Sequence, residues 1–535
     1  MSDLKDEQNQ GNNSPEPNKD INADQGTTKN GTGKRPELLP ILPIEIGDII
    51  FEAARCANVS TFAPLGLRGF SEEFIEKITE DDFQNLIDSH SHEWKELPSY
   101  KQLQVLAITQ LKAVAIKYGW RLCKNNDQIY FYNGAFWSSF SNEQFRDFLK
   151  KATIKMGLNS LNCMHFSFQD PTFKQFWADS FLTRPESKRG VVHINLLNGT
   201  FEITPEYQKL RNPSSNDFLT YQLPFAYDPD ATAPIFKKFL EEVLPDPEVR
   251  MVLAEYIACV FIDPRDLKLE KVLILLGQGA NGKSVFFEVI QNLYGKENVS
   301  SFSLSSLTNE TENYRIEIAD KLLNYASEIS TKMNTNTFKQ LASMEPVDAR
   351  RLYGIPVILS RYARMMFNCN ELPREVEHTE AFYRRFLIIL FEKIIEEKNQ
   401  DKELAKKIID AELAGVFNWV LEGLHRLLKQ KNFTVCESIE KQVEEYRHTS
   451  NSVACFLEEA YYVKSVKTSM LLKEVYSEYR TYCHSCGLIA CSSITFGNRL
   501  RRLGFILERK NHGNVVYMIA DLPKGAIAST DFQLM

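Results

Sequence analysis

The 535-residue sequence has no apolar stretch approaching the ~18 residues that a membrane-spanning helix needs. The nearest, Met251 to Ile262, is interrupted by Glu255. It also lacks a surplus of positive charge. With 63 Lys+Arg against 70 Asp+Glu the net charge is −7, which excludes a polycation that coats nucleic acid and confines any nucleic-acid site to a local patch. The ten cysteines are scattered through a long chain, which excludes a small disulfide-stapled framework. The N-terminal MSDLKDEQNQ has no basic-then-apolar signal pattern. A soluble protein of a reducing cytoplasm, with no membrane partner, is therefore expected. No segment repeats at a solenoid period. What is present is ordinary globular material, 43% hydrophobic and 25% charged, in a length that suits three or four domains.

Residues 1–38 are rich in Asn, Asp, Gly, Pro, Lys and Glu and poor in large apolar side chains, so they are expected to form a disordered tail. Residues 39–118 show helical spacing, as at Phe74, Ile75 and Ile78 and again from Leu103 to Leu111, and read as a small helical region. Residues 119–232 read as an α+β module with two hairpins, whose turns are placed at Asn133-Gly134 and Asn198-Gly199. The aromatic residues of the first hairpin are read as core and not as a base-stacking platform. A helical prelude at 233–270 leads into the apolar strand Lys271 to Leu276 and a unit ending at 425; residues 426–451 are assigned as a linker, with the charged stretch 430–450 reading as helical or linking, 452–523 as a compact last unit, and 524–535 as a tail.

Directly after the apolar strand stand Gly277, Gln278, Gly279, Ala280, Asn281, Gly282, Lys283 and Ser284, which fit G-x-x-x-x-G-K-[ST] and are followed by a helical pattern through Val285, Phe286, Val289, Ile290 and Leu293. The chemistry requires this order. Glycines let main-chain N–H groups wrap a phosphate chain, and the helix N-terminus adds its positive dipole end. The lysine reaches the β and γ phosphates, and the serine hydroxyl ligates Mg²⁺. ATP and Mg²⁺ are the implied ligands.

A nucleotide hydrolase also needs a carboxylate on a neighbouring strand, and Lys321 to Glu328 is an apolar strand ending in one. Glu328 is the candidate for the Mg²⁺ shell and for orienting water. Because Ser327 precedes it, no second carboxylate shares that task. A third strand, Ala363 to Pro373, carries Asn370, an amide that could bond the γ-phosphate or the water. Downstream, Arg384 and Arg385 precede the strand Leu387 to Phe391, where an exposed arginine could offset transition-state charge in a neighbouring subunit.

The segments GQGANGKS, LLNYASE, FKQLASMEPVDARRLYG, MMFNCNELP and YRRFLIILF resemble the motifs of superfamily 3 helicases, most closely the phage- and plasmid-type primase-helicase group and the poxvirus primase-helicase ATPase. The likeness runs over about residues 120–520. It implies a multidomain α/β protein: an AAA+ P-loop ATPase core that assembles as a homo-hexameric ring on single-stranded DNA, with N-terminal helical and α+β regions and a C-terminal winged helix. It assigns nucleotide and Mg²⁺ to Lys283 and Ser284, catalysis to Glu328, a sensor role to Asn370, and the trans arginine to Arg385 or Arg384. The family's pore hairpin falls on Arg350 to Arg364, with a turn at Gly354-Ile355-Pro356. Its candidate DNA contacts are Arg350, Arg351, Arg361 and Arg364, with Lys339 one helix earlier as either a contact or an ordinary surface lysine.

The last unit reads helix, helix, helix, hairpin over Val453–Tyr462, Ser469–Cys483, Ser493–Leu503, Phe505–Arg509 and Val515–Ile519, an order that suits a winged helix. Residues 452–524 hold ten Lys/Arg against six Asp/Glu, and Arg499, Arg501 and Arg502 lie where a recognition helix would meet phosphates of duplex origin DNA. Cys483-His-Ser-Cys486 lacks a second ligand pair apart from His512, so it is read as buried thiols at a helix end. The expected function is an ATP-dependent DNA helicase in replication of a phage, plasmid or integrated element, served by a separate primase; a primase activity in this chain is not expected. The alternative is an ATP-dependent origin-binding initiator that does not unwind processively.

Overall fold

The computed structural model describes residues 67–521 apart from 95–96, 126–127, 183–188, 328, 330–332, 352–353, 355 and 374–378. The two expected tails and the first part of the expected helical region, residues 39–66, lie outside the described residues.

The N-terminal unit is organised by its aromatic residues. Strands Arg121–Asn125, Gln128–Tyr132 and Trp137–Phe140 form an antiparallel meander. The two-residue period of a strand sends Ile129 and Phe131 to one face, where Phe70, Phe74, Leu111, Phe145, Phe148 and Phe176 from the surrounding helices enclose them. Tyr130, Tyr132 and Trp137 face the other way and are covered by Phe218, which stacks on Trp137 at 4.7 Å between ring centroids. Both faces are buried, as a core reading of these aromatics requires. The boundary expected at 118/119 is crossed by this core, because the helices Leu67–Glu76 and Tyr100–Lys117 cover one face of the meander together with Asn142–Lys155 and Phe166–Asp179.

The second hairpin belongs elsewhere. Val192–Leu196, Gly199–Ile203 and Gln208–Arg211 form a separate antiparallel sheet. Its core is continuous with helices Pro234–Val243, Pro247–Cys259 and Leu404–Gln430. The register pairs Leu196 with Gly199, so the turn is Leu197-Asn198, one residue earlier than expected. Asn198 instead clamps Tyr227, accepting from its N–H and donating to its carbonyl at 2.9 Å each. Gly199 is needed for close approach, since a β-carbon there would lie 2.5 Å from the Arg211 carbonyl oxygen.

The central element is a five-stranded parallel sheet of β1 (Val272–Leu276), β2 (Val299–Ser300), β3 (Leu323–Ala326), β4 (Arg364–Cys369) and β5 (Phe386–Leu390), in the order β5-β1-β4-β3-β2. Strands such as VLILL and FLIIL are apolar throughout because both faces of a parallel sheet are covered. Leu273, Leu275, Leu387 and Ile389 face the helices named above, while Val272, Ile274, Phe386 and Ile388 face a second core with Phe338, Leu341 and Tyr446. The helix Leu404–Gln430 lies close against Pro247–Cys259; at Gly423 an added β-carbon would come within 2.5 Å of the Ala254 main chain.

The stretch assigned as a linker at 426–451 takes the helical one of its two readings and is packed. The long helix continues to Gln430, and a further helix, Glu437–Thr449, buries Tyr446 beside Phe386, where its hydroxyl donates to the Pro373 carbonyl at 2.9 Å. Its charged residues are one face of a packed helix. The last unit has the expected order of three helices, Ser452–Glu459, Leu472–Ser485 and Ser493–Arg502, followed by the hairpin Leu507–Lys510 and Gly513–Val516. The first helix stops at Glu459, and Tyr462–Lys464 pairs with Met518–Ala520. Among the described residues no helix is long and apolar enough to cross a membrane.

Candidate active site

The phosphate-loop motif joins β1 to the helix Lys283–Tyr294, at the carboxyl end of the sheet. The connection leaving β1 runs to the far edge strand β2 and the one leaving β4 runs the opposite way to β5, so the adjacent ends of β1 and β4 form a topological switch point, the place where an open parallel sheet binds ligands. The loop's shape depends on residues that permit a positive φ: +154° at Gly277, +59° at Ala280 and +88° at Gly282. Two of these positions also exclude a side chain sterically. A β-carbon at Gly277 would stand 2.5 Å from the Phe391 carbonyl oxygen, and one at Gly282 would stand 2.8 Å from Phe239 Cε2. Ala280 adopts the left-handed conformation without a glycine's freedom, and the Ile395 N–H bonds its carbonyl at 2.8 Å.

The loop is fastened to both neighbouring strands. The Gly277 N–H donates to the Cys369 carbonyl at the end of β4, and Asn281 Nδ2 donates to the Phe391 carbonyl just past β5 at 3.0 Å. Asn281 Oδ1 accepts from Lys283 Nζ at 3.0 Å, and the same ammonium also bonds the carbonyls of Gly277 and Gln278. Lys283 is thus buried within the loop, and desolvation lowers its pKa. Burial pushes the Cys369 thiol up to about 12, which leaves it neutral. Gln278, Gly279, Ala280 and Ser284 are exposed, with Ser284 one residue into the helix.

A cleft of about 770 Å³ opens at this end of the sheet. Gly277 and Gln278 line it together with Asn370, which follows β4, so the structure brings the loop and the candidate sensor to one space. Tyr446 and Glu445 of the helix Glu437–Thr449, and Tyr482 and Glu459 of the last unit, form the opposite wall. Sequence reasoning missed this wall; the only signal for it was the apolar spacing of Val443 and Tyr446 in a stretch that reads as charged. Glu328 lies outside the described residues. Ser327, just before it, is exposed past the end of β3, and Tyr325 within β3 donates to Asn368 Oδ1 at 2.9 Å, linking β3 to β4.

The arginine pair sits at the opposite end of the sheet. The register pairs Phe386 with Val272 and Leu390 with Leu276, so Arg384 and Arg385 lie roughly 17 Å along the strands from the loop of their own chain, beyond an arginine's reach. The two differ sharply. Arg385, one of the proposed exposed arginines, is buried, with Nη2 donating to Ser343 Oγ at 3.0 Å and Nη1 to the Ala381 carbonyl. Arg384 is the exposed one, at 55% of its side-chain surface, and its Nη2 lies 3.1 Å from Glu270 Oε2.

The proposed DNA contacts separate in the same way. Val347–Ala349 and Val357–Leu359 form an antiparallel hairpin that begins three residues before the expected span of Arg350 to Arg364 and ends before Arg361 and Arg364. Arg350 and Arg351 are exposed at the start of the loop that joins its two strands, Arg350 with Nε 3.3 Å from the Thr311 carbonyl; the turn expected at 354–356 includes Ile355, outside the described residues. Arg361 is exposed and faces Asp263 at 3.7 Å, and Lys339 is half-buried on the helix Thr335–Ala342. Arg364 corrects the expectation outright. It is the first residue of β4, is 3% exposed, and cannot present its guanidinium to a DNA backbone. In the last unit Arg501 and Arg502 are exposed, whereas Arg499 is half-buried and points Nη1 at Ser452 Oγ, 3.5 Å away. Cys483 is buried in this unit's core and Cys486 is exposed; among the described residues no group of three or more His, Cys, Asp or Glu stands together to hold a metal ion.

Comparison with known proteins adds relatives for two segments. Residues 110–245 match the family described as D5 N terminal like, and residues 275–385 match the family of unknown function DUF5906. Over 226 residues the chain is 24% identical to the Acanthamoeba polyphaga mimivirus protein named "Putative helicase L207/L206". That match covers 40% of this chain and 23% of the mimivirus protein. Two solved structures of the NrS-1 C-terminal region, both apo, are similar at 14% and 13% identity, each over 76% of this chain and 98% of theirs, with TM-scores of 0.43 and 0.42. The chain is thus a mixed α/β, multi-unit protein with a viral helicase-named relative over part of its length.

Proposed function

We propose that this protein is an ATP-dependent DNA helicase of superfamily 3, with an AAA+ P-loop core that works as a ring on single-stranded DNA during replication of a phage, plasmid or mobile element. The single observation that carries the reading is the convergence of the loop residues Gly277 and Gln278 with Asn370 on one cleft at the switch point of the parallel sheet. The donor set fits a triphosphate: a loop held open by positive φ angles, a helix N-terminus behind it, and an ammonium that the loop's own oxygens already gather to the centre.

In this reading Lys283 exchanges its carbonyl partners for β- and γ-phosphate oxygens, and Ser284 with Glu328 would hold Mg²⁺, which would supply neutralisation of the phosphate charge. Glu328 takes the proton of the attacking water as the bond from the γ-phosphorus to the ADP oxygen breaks, and Asn370 orients that water. Arg384, exposed and far from its own loop, is the arginine suited to serve a second copy's site. The hairpin arginines Arg350 and Arg351 are suited to grip a single strand, and Arg501 and Arg502 to meet duplex phosphates.

The test pairs two assays on the full chain. Wild-type protein should hydrolyse ATP faster with single-stranded DNA and displace an annealed strand, and Lys283→Ala should lose both by several orders of magnitude in protein that is still folded at the assay temperature. Hydrolysis without strand displacement would favour an origin-binding initiator, and undiminished hydrolysis in Lys283→Ala would remove the phosphate-loop assignment altogether.

A further inference from the structure

Two charged residues immediately before β1 take hold of Arg384 at both of its ends. Glu270 Oε2 lies 3.1 Å from Arg384 Nη2, and Lys271 Nζ donates to the Arg384 main-chain oxygen at 2.7 Å and to that of Phe386 at 3.4 Å. The segment before Arg384 is a single helical turn, Glu380–Tyr383, too short to fix a side chain's direction. β1 is different: it is the rigid, fully covered strand that runs straight to Gly277. Arg384 is therefore indexed to the strand that carries the phosphate loop.

The surroundings suit a charged clamp. Glu270 also accepts from Lys268 at 2.9 Å and stands 3.8 Å from Arg385 Nη2, and Glu345 faces Lys268 at 3.4 Å. The Lys268 hydrogen bond, opposed by partial burial, keeps the Glu270 carboxyl below its ordinary range, so it is ionised at neutral pH. Burial lowers the Lys271 pKa, with the positive charge of Arg384 adding to the effect and Glu440 opposing it. A half-buried ammonium of that kind depends on its carbonyl acceptors, which here are the ends of the peptide units around Arg384.

We propose that Glu270 and Lys271 are positioning residues that aim Arg384 outward, holding its guanidinium in the orientation that reaches the γ-phosphate of a nucleotide bound by a second copy of this chain. The inference rests on the reading of Arg384 as the arginine acting between subunits. An exposed arginine without such a hold samples many rotamers, and a guanidinium offsets transition-state charge only when it is already in place. The clamp acts on geometry and contributes little to folding, because a surface ion pair is a weak stabiliser.

The experiment uses the full chain with single-stranded DNA and titrates ATP against turnover for Glu270→Gln, Glu270→Asp, Lys271→Met and Arg384→Ala, with melting temperatures alongside. Glu270→Gln and Lys271→Met should lower kcat by roughly 10-fold with KM unchanged, since only an interaction made in the transition state is misplaced. Glu270→Asp should recover part of the loss, and Glu270→Gln added to Arg384→Ala should lower turnover no further, because the residue it positions is gone. If Glu270→Gln costs as much in the Arg384→Ala background as in wild type, or if both clamp variants turn over normally while Arg384→Ala is slow, the clamp is overturned and the arginine reading stands. Normal turnover in Arg384→Ala itself would overturn the arginine reading, and the clamp with it.

Discussion

The two ends of the central sheet hold charge in opposite ways. At the carboxyl end the work is done by main chain: a loop with positive φ at Gly277, Ala280 and Gly282, hydrogen bonds to Cys369 and Phe391, and one ammonium enclosed by carbonyls. At the amino end it is done by long side chains: Glu270 and Lys271 reaching Arg384, the Arg385 guanidinium reaching Ser343 Oγ and the Ala381 carbonyl, and Arg364 enclosed at the start of β4. A site built from main chain restricts which residues its sequence can contain, whereas a network of long side chains restricts very little. The first end is therefore sensitive to the addition of a single carbon, and the second to the loss of particular polar groups.

Gly282→Val should break the first end most severely. The position combines a φ of +88° with a β-carbon site 2.8 Å from Phe239 and 3.0 Å from Val243, so both the backbone and the packing oppose a side chain. Strain of about 1–3 kcal/mol at the junction of loop and helix corresponds to roughly 5- to 150-fold in nucleotide affinity if the loop absorbs it. Binding of a fluorescent ATP analogue would read the loss. Affinity equal to wild type would mean that the helix start does not set the phosphate donors.

Arg385→Ala and Arg384→Ala then separate the second end into structure and chemistry. Arg385 is buried and bonded within its own chain, so its removal strands Ser343 Oγ and the Ala381 carbonyl and should destabilise the fold by about 2 kcal/mol. Arg384 is exposed and should change the melting temperature little. Thermal unfolding of the two variants side by side checks the contrast, and equal losses would show that exposure does not distinguish their roles.

The same contrast explains what was legible in the sequence. The loop, its strand and its helix were readable because glycine spacing, an apolar run and the Lys-Ser pair each have few alternative meanings, and β1, β4 and β5 fall close to where apolar runs place them. The pairing of hairpins with cores was not readable. Both hairpins look alike as local sequence, yet one shares its core with the N-terminal helices and the other with the central unit, a choice made by residues such as Phe70 and Leu253 far along the chain. Nor could a window of sequence show that Tyr446 packs beside Phe386, which turns an apparent linker into a structural helix. Adjacent arginines were the hardest case. Arg384 and Arg385 differ by one position and end up on opposite sides of the surface, because the turn after Tyr383 sends one side chain outward and the next into Ser343.

Arg364 gives the smallest expected effect and the sharpest test of this comparison. Its Nη2 has no hydrogen-bond partner among the described residues, and its Nη1 has only the Leu269 carbonyl at 3.5 Å, at the outer limit of a useful bond. A buried charge held this loosely gains little from its partners while losing its hydration, and exchange of such groups for apolar side chains of similar size is often neutral or stabilising. Methionine is unbranched, flexible and able to fill the same channel beside Tyr256 and Tyr362. Arg364→Met should therefore shift stability by no more than about 1 kcal/mol, upward or not at all. Because the guanidinium never reaches the surface, affinity for single-stranded DNA and its salt slope should be unchanged as well, whereas Arg350→Ala or Arg351→Ala should flatten that slope. A drop in melting temperature as large as that of Arg385→Ala would show that Arg364 is an integral member of the amino-end network, and a flattened slope would show that β4 opens to expose it.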